Sequence, residues 1–192
     1  MRRIDKEIKD PAELEAVLDR AEWGTLGLVS PDGEAVLVPL NVVRLGNSLF
    51  FHGSPVGQKM QIIGEGCRAT FLVVEAFARI PSYALDPVNA CPATQLFKSV
   101  LAYGRISVVS SPERRAMALQ ALMEKLQPEG GHEAIDAGNP HYHGRLQSTA
   151  VLEMTLERLT GKFAFGQKWT PERRDHVTDF LRQRGEPLDQ AT

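Results

Sequence analysis

The chain has 192 residues, 43% of them apolar and 24% charged, and a formal net charge of −2 at pH 7. That is the composition of a globular protein long enough to bury one core, and it provides no bulk electrostatic drive toward nucleic acid or an anionic membrane. The first residues are charged where a secretory leader would be apolar, and no apolar run approaches the roughly 20 residues of a membrane span. Cys67 and Cys91 are isolated, so a reducing, cytoplasmic setting is expected. One domain is expected over residues 1–192, with a core at about 23–169 and a C-terminal helix at 170–185.

Asp10-Pro11-Ala12-Glu13 has the chemistry of a helix start, with Asp as cap and Pro in the first turn. Leu14, Val17 and Leu18 give that helix an apolar face, and Gly24 is read as its end. Residues 25–29 and 35–43 are two extended runs about a Pro31-Asp32-Gly33 turn, an antiparallel hairpin by pattern. Pro39 removes a ladder donor and so places a bulge or an edge in the second run. Residues 48–52 form a third strand.

The most informative stretch of the chain comes directly after that strand, His52-Gly53-Ser54-Pro55-Val56-Gly57-Gln58-Lys59. Two glycines permit a turn whose N–H groups converge, a short helix opens, and Lys59 adds an ammonium suited to phosphate. The spacing is not that of a P-loop, so an ATPase is not indicated. Two readings stand side by side: a phosphate cradle, and a plain strand–turn–helix connection with a solvated lysine.

Residues 69–74 give a fourth strand and 98–109 a fifth, in which Gly104 marks a bend or a close backbone approach. The Pro-rich stretch 76–96 between them reads as a surface excursion. Pro112 opens a helix to about Leu126 with Met117, Leu119, Leu122 and Met123 as buried candidates. Residues 127–147 read as a loop, 149–158 as a sixth strand and 160–169 as an aromatic loop. A final helix is expected from Thr170-Pro171 to Arg184, with its four arginines on a solvated face. Six antiparallel strands with short helices between them indicate a mainly β fold, a closed or partly closed barrel.

Val38-Pro39-Leu40-Asn41, then Phe50-Phe51-His52-Gly53-Ser54 with Gly57 and Lys59, resemble the pyridoxamine 5′-phosphate oxidase-like FMN-binding split barrels, and among them the nitroimidazole-resistance branch. Lys98-Ser99-Val100 before Gly104, and Thr160-Gly161-Lys162 before Gly166-Gln167 and Trp169, extend the likeness over most of the chain. The resemblance implies a six-stranded antiparallel split β-barrel, a homodimer with two FMN sites, a small-molecule substrate and an electron donor. It implies that His52, Gly53, Ser54 and Lys59 meet the phosphate and ribityl chain. Ser99 and Val100 add contacts, Val38, Pro39, Leu40 and Asn41 border the flavin ring, and Gln167 and Trp169 close the site from the partner subunit.

By the same likeness His52 is the catalytic candidate, beside the plainer reading of a histidine that bonds the turn. The chain departs from true pyridoxamine phosphate oxidases in lacking, after residue 150, their Arg- and His-rich substrate segment, so vitamin B6 oxidation is not expected. An FMN-dependent oxidoreductase, acting for instance on a nitro-aromatic, is the leading reading. A non-catalytic flavin- or haem-binding protein and a barrel without cofactor are the alternatives, and deazaflavin is an alternative to FMN. His132, His141 and His143 suggest a metal only if 141 and 143 share a strand face, and no Cys or carboxylate completes a set. No metal site is expected.

Overall fold

The structure, a computed structural model, describes residues 4–192. In chain order the elements are β1 (Glu7–Ile8), α1 (Pro11–Arg20), β2 (Trp23–Val29), β3 (Ala35–Asn41), β4 (Val43–Leu45), β5 (Ser48–Gly53), α2 (Gln58–Ile63), β6 (Cys67–Ile80), β7 (Thr94–Val108), α3 (Pro112–Leu126), α4 (Pro140–Ser148), β8 (Ala150–Ala164), α5 (Pro171–Arg184) and α6 (Pro187–Gln190). Among the described residues no helix is long and apolar enough to cross a membrane. Two compact units emerge. One is built from Leu18–Val73 and Leu101–Leu159, the other from the residues up to Val17, Val74–Val100 and Thr160–Thr192.

The sheet has the strand order β3-β2-β6-β7-β8-β5-β4, and the first unit holds β2 to β5 whole, β6 as far as Val73, β7 from Leu101 and β8 as far as Leu159. β2 and β3 form a hairpin with Trp23 opposite Asn41 and Val29 opposite Ala35, closed by a 2.9 Å bond from the Ser30 N–H to the Glu34 carbonyl. β5 lies antiparallel to β8, with Phe50 opposite Glu153 and Gly53 opposite Ala150. Successive strand residues face opposite ways. Phe50 accordingly packs with Val43, Val109, Ala118, Leu122 and Val151, while the Phe51 ring sits 4.9 Å from that of Phe71. Both phenylalanines are fully buried. Gly104 is a close approach: a Cβ there would overlap the carbonyl of Thr155 on β8.

α3 is fastened to this sheet by Arg114, whose Nε and terminal nitrogen donate to Glu153 at 2.7 and 2.5 Å, while the Ser48 hydroxyl donates to the same carboxylate at 2.7 Å. In the second unit β1 pairs with β8, Ile8 opposite Gly161. Ala78, Ile80, Leu96, Val177 and Leu181 form its core.

The fold class is the expected one, mainly β and antiparallel, a split barrel with peripheral helices; the sheet has eight strands where the pattern suggests six. The run 35–43 is two strands because the ladder with β2 ends at Val42, whose N–H still donates to the Glu22 carbonyl at 3.1 Å while its own carbonyl turns to Lys125, accepting at 3.1 Å. Lys125 also donates to the Ala21 carbonyl, and its partial burial pushes the ammonium pKa down. α1 ends at Arg20, and Gly24 belongs to β2. The excursion at 76–96 shrinks, since β6 continues to Ile80 and β7 begins at Thr94. β8 likewise continues to Ala164, through residues read as loop.

Residues 127–147 are not all loop. Asn139 caps α4 by accepting from the His141 N–H at 3.0 Å. Met117 is exposed, because Ala116, Ala118 and Leu122 form the buried side of α3. Arg184 is no solvated arginine either: it donates to Asp189 at 2.5 and 2.8 Å and to the Arg79 carbonyl at 2.8 Å.

The hydrogen bonds from Arg114 hold the Glu153 carboxyl below its ordinary value of 4.5, with Ser48 adding to the effect and burial opposing it. A carboxyl depressed in the folded state stabilises above its unfolded pKa, and that contribution is lost as pH falls through the folded one. We therefore expect acid denaturation to begin below pH 4.5 with a Glu153 component. Urea melts from pH 7 to pH 3 should show a shallower pH dependence in Glu153→Gln; an identical slope in both proteins contradicts this role.

Candidate functional site

The turn after β5 is placed by its strand. Phe50 and Phe51 are held in the core, so the chain leaves it at His52, which is exposed and opposite Val151. Gly53 is half-buried and Ser54 to Gln58 are exposed. Gly57 caps α2 with φ 109° and ψ 175°, a region that side-chain-bearing residues rarely occupy. Its carbonyl accepts from the N–H groups of Met60 and Gln61 at 3.0 and 3.2 Å.

Lys59 folds back across this turn. Its ammonium donates to the Ser54 carbonyl at 3.2 Å, and a Cβ at Gly53 would stand 3.2 Å from the same Nζ. The Ser54 hydroxyl accepts from the Val56 N–H at 3.2 Å. Lysine has three N–H donors. Ser54 takes one, and among the described residues no other acceptor is within bonding distance of Lys59. The backbone N–H groups of Gly57, Gln58 and Lys59 likewise have no acceptor among the described residues. An ammonium and several open N–H groups around one exposed turn can serve an anion with more than one oxygen.

Val38, Pro39, Leu40 and Asn41 lie on β3, an end strand that among the described residues pairs with β2 alone. Val38 and Leu40 are half-buried; Pro39 and Asn41 are exposed. The edge alternative for Pro39 is thus the observed one. The Asn41 amide donates to the Glu22 carbonyl at 3.2 Å. β3 also lies close to β5 within the same unit. His52 has no hydrogen-bond partner among the described residues, so the reading in which it bonds the turn finds no supporting contact.

The other four predicted residues belong to the second unit. Ser99 is half-buried and Val100 buried on β7. Gln167 uses both ends of its amide locally, donating to the Phe163 carbonyl at 2.8 Å and accepting from the Phe165 N–H at 3.2 Å. Trp169 closes the same turn, its N–H donating to the Gly166 carbonyl at 2.8 Å and Arg173 standing 5.7 Å from its ring. Sequence reasoning singled out no site of its own in this unit, yet a cleft of about 550 Å³ opens between Phe77, Lys98 and Phe165. Phe163 and Phe165, two positions apart in the stretch read as an aromatic loop, were its one signal.

His141 and His143 lie on α4, where positions two apart are turned about 200° from each other, so the shared strand face is absent. His141 pairs with Glu133 at 3.0 Å instead. Among the described residues no group of three His, Cys, Asp or Glu could hold a metal ion. Cys91 is exposed; Cys67 is half-buried, its thiol pKa raised by burial.

A family profile described as pyridoxamine 5′-phosphate oxidase matches residues 10–163. Among solved structures, the flavocytochrome Anf3 from Azotobacter vinelandii is 20% identical with a TM-score of 0.71, covering 86% of this chain and 72% of that one. An FAD and haem binding protein from Mycobacterium smegmatis is 19% identical with a TM-score of 0.69, covering 91% of this chain and 80% of that one. A candidate 5-nitroimidazole antibiotic resistance protein from Bacteroides thetaiotaomicron is 16% identical with a TM-score of 0.66, covering 82% and 86%. These likenesses are of fold. None of the curated proteins compared matches the chain.

The backbone at Gly57 makes a direct test of the turn. Gly57→Ala forces a side chain into a region that costs of order 1–3 kcal/mol. We expect a loss of that size in urea unfolding; wild-type stability contradicts the positive φ at this position.

Proposed function

The chain belongs to the pyridoxamine 5′-phosphate oxidase family, and we propose that it is a flavoprotein of that family which binds FMN and reduces a small organic substrate. The observation that carries this reading is the Lys59 ammonium, folded over an exposed glycine turn with N–H groups left open. The residues fit the group. A phosphate dianion suits an ammonium and open N–H donors, and small Gly53 keeps the approach to Lys59 clear. Val38, Pro39, Leu40 and Asn41, on an unpaired strand edge near β5, would offer backbone groups and a half-apolar surface to a planar ring.

When bound, FMN would supply the redox chemistry. The protein's part is to bind and orient. Lys59 and the Gly53–Ser54 backbone would hold the phosphate end, and β3 would border the ring. His52, exposed at the strand's end and free of other partners among the described residues, is the group we assign to holding or delivering a proton. A small nitro-aromatic is the substrate we favour, with electrons from a nicotinamide donor. The resemblance of motifs to the nitroimidazole-resistance branch supports that choice, as does the fold shared with one such candidate.

We also propose a homodimer. The edge strand β3 carries Leu37, 70% exposed, beside Val29 on β2, 66% exposed. Unpaired edges with exposed apolar side chains gain from being covered. A second reading, a non-catalytic flavin- or haem-binding protein, draws on the fold shared with the flavocytochrome and with the FAD and haem binding protein.

The test is FMN titration followed by quenching of flavin fluorescence, in wild type and Lys59→Ala. Saturable uptake weakened about tenfold or more in the variant is expected, the size of a charge-assisted hydrogen bond. Absence of uptake by the wild type would sink the reading. Stable uptake without turnover of a nitro-aromatic by any reduced nicotinamide selects the non-catalytic alternative.

A further inference from the structure

The second unit holds a cleft of about 550 Å³ that the flavin reading does not use. Its size is that of small-molecule sites, about 300–1,000 Å³. Phe77, Phe163 and Phe165 line it, and all three are only half-buried. The Phe77 and Phe165 rings meet edge to face, centroids 4.8 Å apart at 67°. Three rings on one cavity leave apolar surface that a core would ordinarily cover.

Lys98 stands among them. Its Nζ lies 5.7 Å from the Phe77 centroid and 5.9 Å from that of Phe165. It also donates to Glu13 at 2.6 Å. An ammonium has three N–H donors, and among the described residues no second acceptor stands within bonding distance of this one. Charge narrows the ligand further. Among the described lining residues Glu7, Asp10 and Glu13 outnumber Lys9 and Lys98, which does not favour an entering anion. An entering cation finds the position over the rings already held by Lys98.

We propose that this cleft is a binding site for a neutral planar aromatic molecule bearing a ring carbonyl. Its ring packs against Phe77, Phe163 and Phe165, and its oxygen accepts an N–H of Lys98 while the Glu13 pair stays intact. The proposal does not depend on flavin binding.

Coumarin is a suitable probe, with naphthalene as the planar control that lacks an acceptor and coumarin-3-carboxylate as the anionic one. Calorimetric titration of the full chain should give one coumarin site per chain and weaker binding of the carboxylate. Lys98→Met should weaken coumarin about tenfold, a charge-assisted hydrogen bond's worth, and leave naphthalene unchanged. If Lys98→Met does not fold by circular dichroism, Phe165→Leu decides, since it should weaken coumarin and naphthalene alike. No saturable coumarin binding to wild type overturns the proposal. So does a folded Lys98→Met with wild-type affinity, or, where that variant fails to fold, an unaffected Phe165→Leu.

Discussion

Burial of Phe50 and Phe51 on opposite faces of β5 is the constraint on which the rest of the site depends. Phe50 packs under α3 with Val43, Val109 and Leu122, and Phe51 packs on Phe71. Side chains alternate along a strand, so a slip of one residue would exchange the two faces. Each phenylalanine would then lose a fitted environment, and removing a ring of this kind from a core typically costs about 3–5 kcal/mol. The pairing of β5 with β8 is held in place accordingly, and the chain leaves the core at one residue, His52. Gly53, the turn and Lys59 inherit their positions from that.

A second tie acts on the same strands from outside. Glu153 of β8 faces Phe50 in the ladder and takes hydrogen bonds from Ser48 at one end of β5 and from Arg114 on α3. One carboxylate thereby joins a strand, its neighbour and the helix above them. Such a pair, 16% exposed on the Glu153 side, is worth more for fixing register than an exposed ion pair, which contributes little.

Local chemistry was legible in the sequence wherever a short-range rule decides the structure. Asp10 and Thr170 cap helices through their side chains, at 3.0 and 3.3 Å. The turn at Gly57 and the short helix after it were legible for the same reason. Features that depend on distant partners were not. Prolines suggested a long excursion at 76–96, yet β6 and β7 extend into it from both sides. Val42 breaks its strand because Lys125, far along the chain, takes its carbonyl. Met117 is exposed because the small Ala116 and Ala118 let α3 approach the sheet on their side. Within the candidate site, Lys59 could be found from spacing alone. The local employment of Gln167, by contrast, needed the strand β8 to reach Ala164.

The central claim is that the Gly53–Lys59 turn recognises a phosphate, and a cofactor pair that differs only there tests it most directly. Riboflavin has the ring and ribityl chain of FMN without the phosphate. Parallel titrations at one ionic strength should show FMN binding roughly a hundredfold more tightly, with the preference much reduced in Lys59→Ala, as expected when charge-assisted hydrogen bonds are at stake. Equal affinities for the two in the wild type would contradict the account and return the turn to a plain connection between β5 and α2.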